Sequence, residues 1–146
     1  MKPKEEPMGE VRTQAKLVNA LDEELASQGK IAPGDVRTYE ADALVDTGAV
    51  PTVVPAHVMQ KLGLRTRGHR VTQYADGRRD MVPTTGPIAV SVIGRDMITE
   101  AVVLGDEVII GQIVLEMLDL FVDPINRKVI PNPAHPDQPV VKVKRL

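Results

Sequence analysis

At 146 residues the chain has room for one domain, because domains cluster near about 100–150 residues and bury about two-thirds of their unfolded surface. Its 42% hydrophobic and 26% charged residues, with 18 basic against 20 acidic groups and a net charge of -2, exclude a chain disordered by composition and an electrostatic nucleic-acid binder. No run approaches the ~20 apolar residues of a membrane span, the opening MKPKEEPMGE has no apolar core for a secretory signal, and cysteine is absent, so a cytoplasmic protein with no disulfide, no thiolate metal site and no membrane partner is expected.

Two tyrosines, one phenylalanine and no tryptophan leave the core to valine, isoleucine and leucine, which favours strands. Residues 1–10 read as a flexible leader. Val11, Thr13, Ala15 and Leu17 alternate with Arg12, Gln14 and Lys16, the period of two that marks a half-buried strand ending near Asn19. Residues 20–35 can form a helical turn or two before Gly29, Pro33 and Gly34 break it into a connecting loop. A second strand is expected over 36–45 and a short β-branched one over 52–54, followed by a short helix in AHVMQKL that begins after Pro55 and stops at Gly63.

From Thr66 onward, turn signals recur about every ten residues, the spacing of a sandwich or barrel. Residues 71–74 and 80–84 flank Asp76-Gly77 as a hairpin, 88–92 form the next strand, and 97–104 its partner. Gly111 interrupts the apolar run Val108-Ile109-Ile110, QIVLEML reads as a second short helix, and a strand follows around 120–122. The tail from Asn132 is rich in proline. Val and Lys alternate over 140–144 like an edge strand able to pair with another chain.

Asp46 is the residue that points to chemistry. It follows Ala43-Leu44-Val45 and precedes Thr47-Gly48-Ala49, so a carboxylate is delivered by a buried strand to a turn. Burying that charge is costly unless the fold hydrogen-bonds it. The reaction that wants such a group is activation of water between two carboxylates, one ionised and taking a proton, the other protonated and polarising a carbonyl. The chain holds one such turn, so the second must come from another copy.

On these residues the chain resembles the retropepsin-like aspartic peptidases, whose single-domain subunits pair about a two-fold axis and each contribute one Asp-Thr-Gly-Ala loop. The order of features agrees: the apolar approach at 43–45, the Asp76-Gly77 hairpin, then Ile109-Ile110-Gly111 before the helical QIVLEML. The match runs over residues 11–133. Val36-Arg37, Ala75-Asp76-Gly77, Gly111-Gln112 with Leu115-Glu116, and Val122-Asp123-Pro124 are similar to small bacterial members.

The resemblance implies an all-β, closed retropepsin-like barrel with one or two short helices over 11–133, a tail over 134–146 that can supply a dimer-interface strand, and a homodimer cutting a peptide or protein substrate. It makes Asp46 catalytic, has Thr47 bond across the dimer axis, and has Gly48 admit the substrate backbone. It implies substrate contacts from Ala49, from a flap tip of Ala75, Asp76, Gly77 and Arg78, and from Gly111 and Gln112. No cofactor and no metal are expected. Retroviral members pair an acid just after Asp-Thr-Gly-Ala with an arginine just after the later glycine, whereas Val50 and Pro51 face Gln112 here.

Other readings compete. Asp46 can be a plain turn residue, or the fold can serve as an inactive peptide-binding or dimerisation module. A phosphoryl acceptor is disfavoured because no second acid or lysine adjoins it in Thr47-Gly48-Ala49. His57, His69 and His135 lack the i, i+4 spacing of a helical zinc site, and Arg78, Arg79 and Asp80 read as a solvated face.

Overall fold

The computed structural model describes residues 10–145, so the expected leader, apart from Glu10, lies outside the described residues, as does Leu146. The first strand, β1 (Val11–Asn19), runs antiparallel to β2 (Thr38–Val45) with Val11 opposite Val45 and Val18 opposite Thr38. Asn19 ends β1 and caps α1 (Ala20–Ser27), its side chain accepting the Asp22 N–H at 3.0 Å. Capping of this kind typically contributes about 1 kcal/mol. A single 3₁₀ turn at Pro33–Asp35 returns the chain to β2.

After Asp46 come β3 (Thr52–Val54) and α2 (Ala56–Lys61), which stops where Gly63 takes φ +62. Next are the hairpin β4 (Thr66–Gln73) and β5 (Arg79–Thr85), then β6 (Ile88–Val92), β7 (Arg95–Thr99), β8 (Ala101–Val103) and β9 (Ile109–Ile110). α3 (Gln112–Met117) leads into the hairpin β10 (Leu120–Asp123) and β11 (Lys128–Pro131).

Nine strands form one sheet in the order β4-β5-β8-β3-β9-β2-β1-β6-β7, and β10-β11 form a second. The mostly-β class therefore holds, with the sheet's two ends, β4 and β7, joined by no ladder among the described residues. Leu17, Ile88, Val90, Val92, Ile110, Val114 and Leu118 are essentially inaccessible and make up one aliphatic core. Each such side chain stabilises the fold by about 1.5–3 kcal/mol.

Three differences from the sequence reading have physical causes. Helices number three among the described residues, because Asn19 and the acidic residues Asp22 and Glu23 in the first turn carry residues 20–27 through a full two turns. The single strand expected over 97–104 is two, parting at Glu100: β7 pairs with β6, and β8 with β3 and β5. A strand unforeseen at Lys128–Pro131 folds back on β10 after a turn in which Asp123 accepts the Ile125 and Asn126 N–H groups. Residues 140–144 form no strand within the chain, and their alternating Val and Lys lie exposed.

Candidate active site

β2 and β9 run parallel, with Leu44 beside Ile109 and Val45 beside Ile110. The ladder continues one step past the strand ends, where the Asp46 N–H donates to the Ile110 carbonyl at 3.0 Å. Val45 and Ile110 are buried beneath, so the chain turns on the lip of the core and Asp46 comes out half-buried. Its Oδ1 accepts the Gly48 N–H at 2.8 Å, and its carbonyl accepts the Ala49 N–H at 3.1 Å. A residue at position 48 with a Cβ would bring that atom to 3.2 Å from the same Oδ1, which favours glycine there. Oδ2 accepts no hydrogen bond among the described residues. Thr47 and Gly48 are exposed at the turn, and Ala49 is half-buried.

Gly111 locks this turn from the other side. A Cβ on it would sit 2.3 Å from the Pro51 carbonyl oxygen, 2.7 Å from that of Ala49 and 2.8 Å from that of Val50. Only a bare Cα allows the two segments to touch. The Gln112 N–H then donates to Ala49 O at 2.7 Å and the Ile113 N–H to Val50 O at 3.1 Å. Two main-chain bonds thus join the segments that retroviral members are expected to join by an ion pair. The Gln112 side chain turns along α3 to donate to Glu116 at 3.2 Å, and Val50 is 62% exposed.

The hairpin tip is bonded to itself. The Gly77 N–H donates to Tyr74 O and the Tyr74 N–H to Arg78 O, while Gly77 sits at φ +87. Asp76 accepts both the main-chain N–H of Arg78 and its guanidinium, each at 3.0 Å, and these contacts hold its carboxyl below the usual range. The same guanidinium lies 4.9 Å from the Tyr74 ring centre. Tyr74 donates to Asp80, and burial, followed by that bond, raises its phenol above the ordinary value. Arg79 donates to Gln73. The solvated face expected at 78–80 is therefore exposed but engaged.

Asp46, Thr47, Gly48, Ala49, Gly111 and Gln112 thus come together, whereas Ala75, Asp76, Gly77 and Arg78 make no hydrogen bond or ion pair with them among the described residues. The hairpin connects towards the loop through its base, where Thr84 of β5 pairs with Val102 of β8 and Ala101 of β8 pairs with Thr52.

Two side-chain clusters that brace the site escaped the sequence reading. Arg12 donates to Glu10, to Asp42 at 3.2 Å and to Glu107 at 2.7 Å, tying the loop before β9 to the β1–β2 pair, and Glu107 foremost holds its guanidinium charged. Past α3, Asp119 accepts from Asn132, the Val140 N–H and His135, and Asn132 foremost pushes its carboxyl down to about 2 against the opposing effect of burial. Buried Arg95 donates to the carbonyls of Leu118, Asp119 and His135. Nothing in the spacing signals either cluster, since Arg12 and Glu107 are 95 residues apart.

A family model described as aspartyl protease matches residues 28–132. The chain belongs to that aspartyl protease family. Its fold is similar to the EIAV protease complexed with the inhibitor HBY-793, with a TM-score of 0.51 and 19% identity over 79% of this chain and 89% of that one. It is also similar to the retroviral protease-like domain of Ddi1 from Leishmania major, with a TM-score of 0.51 and 13% identity over 94% of each chain. No curated protein matches the chain. Among the described residues of this aspartyl protease family member, no helix is long and apolar enough to cross a membrane.

Proposed function

We propose that the chain is an aspartic endopeptidase acting as a homodimer, with Asp46 of each copy facing one water molecule. The supporting observation is the Asp46 carboxylate itself: one oxygen is committed to the Gly48 N–H, the other is unengaged among the described residues, and both stand at a turn on the rim of the core. One chain offers one such carboxylate, and the reaction needs two.

In this reading the ionised Asp46 takes a proton from water as the oxygen attacks the scissile carbonyl carbon, while the protonated Asp46 donates to the carbonyl oxygen. The tetrahedral intermediate collapses as the C–N bond breaks and the leaving nitrogen takes a proton from the pair. Thr47 holds the two loops to each other, and Gly48 and Ala49 let an extended peptide lie close. The tip at Ala75, Asp76, Gly77 and Arg78 closes over the peptide and excludes water. Gly111 and Gln112 act from beneath, holding the loop through Ala49 and Val50.

The test compares the wild-type chain with Asp46→Asn on casein, at several dilutions and with sedimentation at the assay concentration. Removing a general base typically costs about 10²–10⁴-fold, so cleavage by the variant should fall at least that far. Wild-type activity per subunit should fall on dilution, because one chain carries half of the pair. Equal cleavage by Asp46→Asn, or full activity in a species with the mass of one chain, overturns the reading.

A further inference from the structure

At the end of β1 and β2 away from Asp46, a cavity of about 600 Å³ opens between α1, the turn after α2 and the β5–β6 turn. A space of that size lies within the range of ligand sites. Its walls are Leu21, Leu25, Leu64 and Pro87, with Leu21 itself 59% exposed. Such a side chain left in water on the rim of an apolar cavity is covered only when something docks there.

The floor of the cavity is rigid. Asn19 is buried and donates to the Leu62 carbonyl at 2.8 Å while accepting the Asp22 N–H. Asp22 is buried too, and takes Arg37 in a fork: Nε at 2.8 Å, Nη2 at 3.0 Å and the main-chain N–H at 3.1 Å. Gly63 makes room for that guanidinium, for a Cβ there would overlap it. Asp22 is thereby spent on Arg37. The lining also carries Arg65 and Arg67, both exposed, of which Arg67 shares Glu100 with Arg70 and Arg65 has no side-chain partner among the described residues. With Arg37 balanced by Asp22, and one Glu100 shared by Arg67 and Arg70, Arg65 and that arginine pair leave the rim with excess positive charge on a chain of net charge -2.

We infer that this cavity is a docking site for an acidic, apolar segment of a protein substrate, apart from the cleft that holds the scissile bond. The apolar walls take aliphatic side chains, and Arg65 and Arg67 take carboxylates at the rim. Arg37 in the lining stands nine residue steps before Asp46 along β2, about 31 Å at roughly 3.4 Å per step, so a short peptide at Asp46 cannot reach the cavity. The inference rests on the peptidase reading only for the nature of the occupant.

Binding is measured by the fluorescence anisotropy of a labelled peptide of alternating leucine and glutamate, using the full chain carrying Asp46→Asn so that nothing is cut. Leu21→Asp and Arg65→Glu, both at exposed positions and checked by thermal melting, should each weaken binding about tenfold or more. A matching peptide with lysine in place of glutamate should not bind, and salt should weaken the leucine–glutamate peptide. With the active chain, the same two variants should lower kcat/KM for casein but leave that for a short peptide unchanged. Equal binding by the variants, equal binding of the lysine peptide, or a change in sedimenting mass on Leu21→Asp, which would make the cavity an interface between copies, overturns the inference. Absence of casein cleavage with binding intact would count against the peptidase reading and not against the docking site.

Discussion

The Asp46 turn and the tip of the β4–β5 hairpin both present charged groups to solvent, yet they are held in opposite ways. The turn is fixed by main-chain bonds from Asp46 to Ile110 and to Ala49 and Val50 from Gln112 and Ile113, far away in sequence. The tip is fixed by Tyr74, Asp76, Arg78 and Asp80, whose side chains bond within the hairpin itself. In the proposed reading, the group whose position must not vary is built into the sheet, while the segment that closes is stabilised locally and can travel as a unit. The chemistry of the two regions would separate accordingly, into reaction at the turn and capture at the tip.

The sharpest way to break this contrast is Gly111→Ala. Its new methyl would meet three carbonyl oxygens at 2.3, 2.7 and 2.8 Å, and no flexible side chain can yield in their place. A cost of about 3–5 kcal/mol is expected. Because about 1 kcal/mol moves Tm by roughly 2–4 °C in a domain of this size, a fall of about 10 °C should accompany loss of cleavage. A variant melting with the wild type would mean that the two segments do not need to touch.

Gly77→Val should do the reverse. At φ +87 a branched side chain is strained by about 1–2 kcal/mol, so Tm should drop only a few degrees. Peptide kcat/KM should fall about tenfold, since a tip that cannot form cannot close. Unchanged kinetics in the folded variant would remove residues 75–78 from the site.

Acid should loosen two clusters outside the Asp46 turn. The Asp119 carboxyl, held down to about 2, lies below its value of about 3.9 in an unfolded chain. Its contribution is therefore complete above that unfolded value and is lost as the pH falls towards 2. Thermal melts of the wild type should decline across this window, and those of Asp119→Asn should decline less. Parallel curves for the two proteins would show that the cluster does not pin the tail.

The smallest effect is expected at Asp76, whose carboxyl is also lowered, first by the Arg78 main-chain N–H and then by its guanidinium. The sign is the same: tip order is present above the ordinary carboxylate range and is lost as Asp76 takes up its proton. NMR of the Arg78 amide should report that loss while the Asp46–Ile110 bond keeps its exchange protection. Simultaneous loss at both sites would merge the two regions into one unit.

Local signals determined a good deal by themselves. Alternation in Val11–Asn19, the Asp76-Gly77 turn, the helix stop at Gly63 and the Asp46-Thr47-Gly48 turn are each written within a few residues, because side-chain period and turn conformation are short-range properties. The family, too, was legible from the order of those features. What the tertiary structure alone decided depends on residues distant in the chain. Residues 97–104 read as one strand, yet part at Glu100 because β6 claims one half and β3 the other. Gly111 reads as a helix boundary, and only the carbonyls of residues 49–51 above it show why no side chain fits. Arg12 with Glu107, and Asp119 with His135, become partners only once the strands between them are paired. Pairing over such separations follows from the packing of the whole core, a condition that no local stretch of sequence contains.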